Sequence, residues 1–269
     1  VISTIEIAGW LSALVMGMTL GLLGGGGAIL TVPILVYLFG HAATLATQES
    51  LLVVGLVSAL GLIQYARRGG VEFRTALFFS MPSFLGVLIS RRIALPLIPE
   101  QIRLGGDVVL SKDNLLMVVF AGIMLAATKA MIRPRAPGLA SREAASIGRI
   151  APQGLGVGMV TGVVGAGGGF LIVPALTGLL KVPMERAVGT SLLIITLNSL
   201  FGFLMSLNPA VLESLNWGFL GVFLALASIG MILGGRLNSL IPPAKLKVGF
   251  GWFVLAMGGL ILALQVAGT

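Results

Sequence analysis

Cysteine is absent from the 269 residues, histidine occurs once, and Asp and Glu together number nine. Without cysteine there is no disulfide, no haem attachment and no thiolate metal site, and a lone histidine, His41, cannot form a His-based metal cluster. Neither a cofactor nor a metal is expected. Acid–base or metal catalysis needs His, Cys or carboxylates in clusters. Glu49 is the one acid well inside an apolar segment, and one acid is not a dyad, so no enzyme is expected. Charged residues of all kinds make up 10%, against about 25% in soluble domains. A soluble protein is thereby excluded.

What abounds is apolar: 57% of residues are hydrophobic and the mean hydropathy is +1.08. Several runs approach or exceed the roughly 20 residues that span a bilayer as a helix. Backbone inside lipid must satisfy its own hydrogen bonds, as a helix or as a closed barrel. Barrel strands would alternate polar and apolar residues, whereas residues 51–60 are apolar on all sides. The expected fold is all-α, a polytopic membrane helix bundle. Its segments fall at 5–23, 28–39, 44–65, 75–95 and 115–132, then at 151–164, 170–180, 187–205, 217–235 and 247–266. The chain does not open with Met, and residues 1–6 lack the length and charge of a signal n-region, so a trimmed start is expected.

The net charge of +8 would suggest nucleic acid in a soluble protein. Here the basic residues sit in loops between apolar segments, where they set orientation by the positive-inside rule. The lipid bilayer, not nucleic acid, is the expected partner. Gly-rich faces such as Gly221 to Gly230 leave a homo-oligomer open.

The halves resemble each other. A constant offset of 141 lays residues 21–63 on 162–204 without a gap, matching Gly24 to Gly165, Pro33 to Pro174, Ala46 to Ala187, Ser50 to Ser191 and Ser58 to Ser199. Further on the offset is 144, pairing Gly86 with Gly230 and Arg92 with Arg236. Shared Gly, Pro and Ser at fixed register mark an internal duplication. Residues 1–133 form the first transmembrane repeat, 134–149 a cytoplasmic linker with Pro134 and Pro137, and 150–269 the second repeat. Loop charge then orients them. Arg67, Arg68 and Arg74 put the loop after Tyr65 inside, 207–216 has no Lys or Arg and goes outside, and Arg236, Lys245 and Lys247 return inside. The scheme places 91–112 outside despite Arg91, Arg92, Arg103 and Lys112. The expectation is two inverted repeats, each crossing an odd number of times, which favours ten crossings over eight and leaves both counts open.

Both repeats carry the same interruption. Gly24-Gly25-Gly26-Gly27 is followed by Pro33, and Gly165-Ala166-Gly167-Gly168-Gly169 by Pro174. Each interior glycine costs a helix roughly 1 kcal/mol relative to alanine, so such runs break it. Broken backbone at membrane depth is tolerated where it is buried in protein or lines a cavity. A helix broken in both halves points to a transport site. The helix that restarts after each break offers amides and the positive end of its dipole, about half a charge, to an anion. Close helix packing is the competing account of the same glycines. A dinucleotide-binding loop is excluded, because the sixth position is Phe170 and no strand precedes.

The doubled glycine cluster with its proline, and the Ala187-Val188-Gly189-Thr190-Ser191 stretch, resemble the sulfite exporter TauE/SafE family of bacterial membrane transporters, over essentially the whole chain. The resemblance implies a multi-pass bacterial inner-membrane protein that moves small sulfur-containing anions, such as sulfite and organosulfonates. Gly24, Gly25, Gly26, Gly27, Gly165, Gly167, Gly168 and Gly169 are the expected substrate cradle. A non-transporting scaffold or assembly subunit is the alternative.

The first copy departs from the pattern, with Gln48-Glu49-Ser50 where the second has Gly189-Thr190-Ser191. A carboxylate about 8 Å into an apolar helix is costly and functional by default. Burial disfavours its charged form, so Glu49 is a candidate proton carrier; an interfacial Glu reaching water, or one paired to Arg67 or Arg68 of a neighbouring protomer, is the bland account. Thr190 and Asn198 lie on similar faces of one helix, as do Ser191 and Ser199, and Ser50 and Ser58. Thr190, Ser191, Ser50 and Asn198 are candidate hydrogen-bond donors to sulfonate oxygens; linking helices is the other account. Arg92 and Arg236 end matching helices and are candidate anion contacts, although such arginines often reach for headgroups. His41 reads as a loop or interfacial residue, and Trp217 and Trp252 as interface belt residues.

Overall fold

The computed structural model describes residues 4–103, 109–132, 147–165, 168–178, 180, 182–238 and 243–267. The linker arginines and prolines of 133–146 lie outside that set. The first half contains α1 (Thr4–Leu23), the short α2 (Ala28–Pro33), α3 (Ala43–Ala66), α4 (Phe73–Ile89) and α5 (Lys112–Ile132). The second contains α6 (Ile147–Val164), α7 (Gly169–Gly178), α8 (Met184–Ser206), the short α9 (Pro209–Ser214), α10 (Trp217–Leu237) and α11 (Pro243–Ala267). A small antiparallel ribbon, β1 (Gln101–Arg103) with β2 (Val109–Ser111), joins α4 to α5. Five described helices are long and apolar enough to cross a bilayer alone. The protein is an all-α, multi-pass membrane bundle.

Two helices widen at their ends. α2 runs into a π-helical turn, Ile34–Leu38, directly after Pro33. Proline has no amide to give, and its ring pushes on the preceding turn, so the ladder relaxes there. α4 runs through a second π turn, Ser90–Ala94.

Packing repeats across the halves. α1 lies on α10 and α4 on α6, while α3 lies on α8 and α5 on α11. Exchanging the halves turns the first pair into the second and maps the others onto themselves. The correspondence holds residue by residue. Gly17 meets Ala227 as Gly158 meets Ser83, and Gly230 meets Leu14 and Met18 as Gly86 meets Leu155 and Met159. At each of these glycines a Cβ would collide with backbone of the facing helix. Lipid gives no hydrophobic reward for helix pairing, so small residues that let backbones touch hold the bundle together.

The central pair has a definite sense. Leu51 meets Gly202, Gly55 meets Leu200, Gly61 meets Leu192 and Tyr65 meets Gly189, so α3 and α8 run antiparallel. The Tyr65 hydroxyl donates to the Gly21 carbonyl at 2.9 Å, joining the ends of α3 and α1. Phe39 packs on Gly9 and Trp10 near the start of α1. Between them, α2 and its π turn carry the chain back along α1.

Loops gather at two ends of the bundle. At one, the Glu72 amide donates to Thr190 Oγ1 at 2.9 Å, Arg186 pairs with Glu72 at 3.6 Å, and Asn238 donates to the Leu22 carbonyl. At the other, Thr44, Arg92, Lys112 and Asn208 surround one cavity. The loop after Tyr65 lies at the first end, and Arg92, Glu100, Lys112 and Asn208 at the second. Of the cations there, Arg91 is buried and Lys112 pairs with Glu100 at 3.2 Å. Large apolar side chains such as Leu11, Leu77, Met81, Val222 and Ile229 face outward, as lipid contact requires, and Trp217 and Trp252 are exposed with them.

Candidate functional site

The first glycine run ends α1 at Leu23. The Gly24 amide still donates to Leu20, and the backbone then turns through positive φ at Gly24 (+65°) and Gly25 (+148°), where side chains are rarely tolerated. α6 ends in the same way, with the Gly165 amide on Thr161 and positive φ at Gly165 and Gly168. Ala166 and Gly167 lie outside the described residues. Gly24 sits against Val188, and its counterpart Gly165 against Thr47, the matching residue.

The first turn meets the start of α7. A Cβ on Gly25 would stand 2.6 Å from the Gly169 carbonyl oxygen. Ile195, midway along α8, lies beside Gly169. The two interruptions therefore converge in the middle of the bundle. Tight contact accounts for most of these glycines: Gly27 sits on the α1 backbone at Met16 and Leu20, and Gly168 on Thr161. The first amides of α2 are also occupied, those of Ala28, Ile29 and Leu30 donating to Gly25, Gly26 and Gly27, as Leu171 and Ile172 do to Gly168. The restarted helices thus offer a ligand fewer amides than the sequence reading assumes.

The polar candidates divide. Ser191 donates to the Gly24 or Val188 carbonyl, tying α8 to the first glycine turn. Thr190 accepts the Glu72 amide, and Asn198 Nδ2 donates to Ser83 Oγ at 2.7 Å, linking α8 to α4. All three are fully buried. Ser50, Ser58, Ser80, Ser199 and the Asn198 carbonyl oxygen are also buried and have no hydrogen-bond partner among the described residues. They lie on α3, α4 and α8. Arg92 and Arg236 do not come together. Arg92 lines the cavity beside Asn208, while Arg236 is exposed near the opposite end, where α10 closes on Leu22.

Two features escape the sequence reading. His41 Nδ1 and Glu49 Oε2 form a hydrogen-bonded pair at 2.5 Å, with Glu49 1% and His41 22% exposed. Gly40 (φ +71°) turns the chain back so that residues eight apart can touch. His41 also packs on Phe219 at 4.9 Å, at the edge of a cluster of Trp10, Phe39 and Phe223. The second feature is Arg91, buried where Arg92 is exposed.

Comparisons agree with this architecture. The chain is 31% identical over 231 residues to a probable membrane transporter protein of Xylella fastidiosa (strain Temecula1), covering 84% of this chain and 80% of the relative. It is 29% identical to the Bacillus subtilis probable membrane transporter protein YunE, covering 85% of each. It is 24% identical to a probable membrane transporter protein of Methanocaldococcus jannaschii, over 91% of this chain and 92% of the relative. No solved structure matches it. The profile of the sulfite exporter TauE/SafE family matches residues 10–261, nearly the full length. With that match and these relatives, the chain belongs to the sulfite exporter TauE/SafE family.

Proposed function

We propose that the chain is a secondary transporter that exports small sulfur-containing anions, sulfite or organosulfonates, across a bacterial inner membrane. The observation that carries this reading is the convergence of two glycine-broken helices in mid-bundle, Gly25 against Gly169. The repeats are inverted in this reading, and the antiparallel contact of the equivalent helices α3 and α8 supports it. The end bearing Arg67, Arg68 and Arg186 faces the cytoplasm, and the cavity end faces outward. Because the glycine turns touch, an anion passes only when the repeats rock apart, as alternating access requires. The hydroxyls of Ser50, Ser58 and Ser199, without partners among the described residues, give a polar lining to that route.

Flux into proteoliposomes tests the reading. Sulfite, sulfate, sulfoacetate, taurine and acetate are followed with and without an imposed potential. Saturable flux of sulfite or a sulfonate is expected. An inside-negative potential is worth about 2.3 kcal/mol per charge per 100 mV, which for a monoanion moving without a proton amounts to a roughly 50-fold steady-state ratio. Folded protein that moves none of these anions would leave the scaffold alternative, for which the interlocked glycines suffice.

A further inference from the structure

A cavity of about 440 Å³ opens at the end of the bundle opposite the Arg186–Glu72 pair. Both halves build it. Thr47, Gln48, Arg91 and Arg92 come from the first, and Ser206 and Asn208 from the second. Its size suits a small solute.

Arg91 gives it a chemical preference. Arg91 is only 8% exposed, and its Nε has no hydrogen-bond partner among the described residues. Its Nη2 reaches only the Thr47 carbonyl, at 3.5 Å, and no carboxylate pairs with it among the described residues. A buried guanidinium without a counter-ion is costly, and a planar fork with free N–H groups matches an oxyanion. Other charges on the wall do not cancel it. Glu100 is held by Lys112. Arg92 adds a second cation against Asp113, the carboxylate beside the wall, which accepts the Thr44 amide at 2.9 Å, so the balance stays positive.

The geometry is particular to the first half. Arg91 stands on the π turn Ser90–Ala94, and π turns often re-aim a residue at a functional site. The counterpart of Arg91 is Gly235 on regular helix, and the Gln64 side chain fills that space. Arg91 is also next to the second glycine turn, because Thr47, whose carbonyl it approaches, packs on Gly165.

We infer that this cavity is a binding site for a small oxyanion, sulfonate, sulfate or carboxylate, with Arg91 as its fixed cation, and that it is the vestibule through which an anion reaches or leaves the second glycine turn. The vestibule role rests on the transport reading above; the binding site does not.

The absence of cysteine makes the test direct, since Ser206→Cys on the cavity wall creates a single thiol. Its modification rate by an impermeant methanethiosulfonate reagent is measured in the full chain, with sulfate, sulfoacetate, taurine or acetate added. At least one anion is expected to slow labelling about fivefold or more. Arg91→Gln should abolish that protection and Arg91→Lys weaken it, while Gly221→Ala leaves it unchanged. Labelling unaffected by every anion overturns the site, and so does protection that persists in folded Arg91→Gln. If Arg91→Gln does not fold, the Lys variant decides, and full protection there counts against the site. Saturable flux without protection removes the site and leaves transport standing; protection without flux does the reverse.

Discussion

Gly158→Leu is expected to abolish the folded protein. Gly158 lies where α6 crosses α4, and any Cβ there overlaps the backbone of Ser83, including its carbonyl. A flexible side chain could swing aside; a helix backbone cannot. Overpacking of an ordinary core costs about 1–3 kcal/mol, and here the whole α4–α6 contact must open, so a loss of about 3 kcal/mol or more is expected. The same displacement would pull Ser83 from Asn198 and Ser90 from the Met159 carbonyl. Gly17→Leu, the equivalent change where α1 meets Ala227, should behave identically, because the two contacts are copies. Gly221→Ala is the contrast. Nothing lies within 4 Å of its Cβ position, so only helix propensity changes, and Tm should hold or rise. Recovery of monodisperse protein and its Tm are the readouts. Monodisperse Gly158→Leu with an unchanged Tm would mean that α4 and α6 do not pack as described.

Glycine positions explain why so much of the fold was legible in the sequence. A run of four glycines cannot stay helical, and α1 stops at Leu23 with α2 restarting at Ala28, where the apolar pattern resumes. The shared Gly, Pro and Ser register foretold the twofold packing, since each matched glycine needs a matched close approach. The site was less legible. Symmetry favoured Arg92, because Arg236 matches it, whereas the buried cation is Arg91, whose counterpart is glycine. Arg91 stands on a π turn that its counterpart on regular helix lacks, and no local residue signals that turn. The His41–Glu49 pair depends on a reversal at Gly40 and could not be read from an eight-residue spacing. The role of Ser191 needed the tertiary contact between α8 and the first glycine turn, which lies over 160 residues away in sequence.

Glu49→Gln is expected to remove the response of transport to a pH gradient and leave the anion driven by potential alone. Glu49 is buried within α3, its Oε1 has no partner among the described residues, and its Oε2 is held by His41. A glutamine there keeps the size and loses the proton. If the anion moves with one proton, a gradient of one pH unit is worth about 1.4 kcal/mol, a roughly tenfold change in the steady-state anion ratio. A monoanion moving with one proton carries no net charge, so the wild type should be insensitive to potential. The variant should lose the pH-driven factor and gain the potential-driven ratio. His41→Gln separates carrying the proton from delivering it. His41 is the partly exposed member of the pair, so it connects Glu49 to water. Its loss should slow the approach to steady state and leave the ratio itself unchanged, because the number of protons moved per anion is set at Glu49. The measurement is anion uptake into proteoliposomes under a pH gradient with the potential clamped. A Glu49→Gln protein that follows the pH gradient as the wild type does would end the proton role of Glu49 and place the coupling at another group.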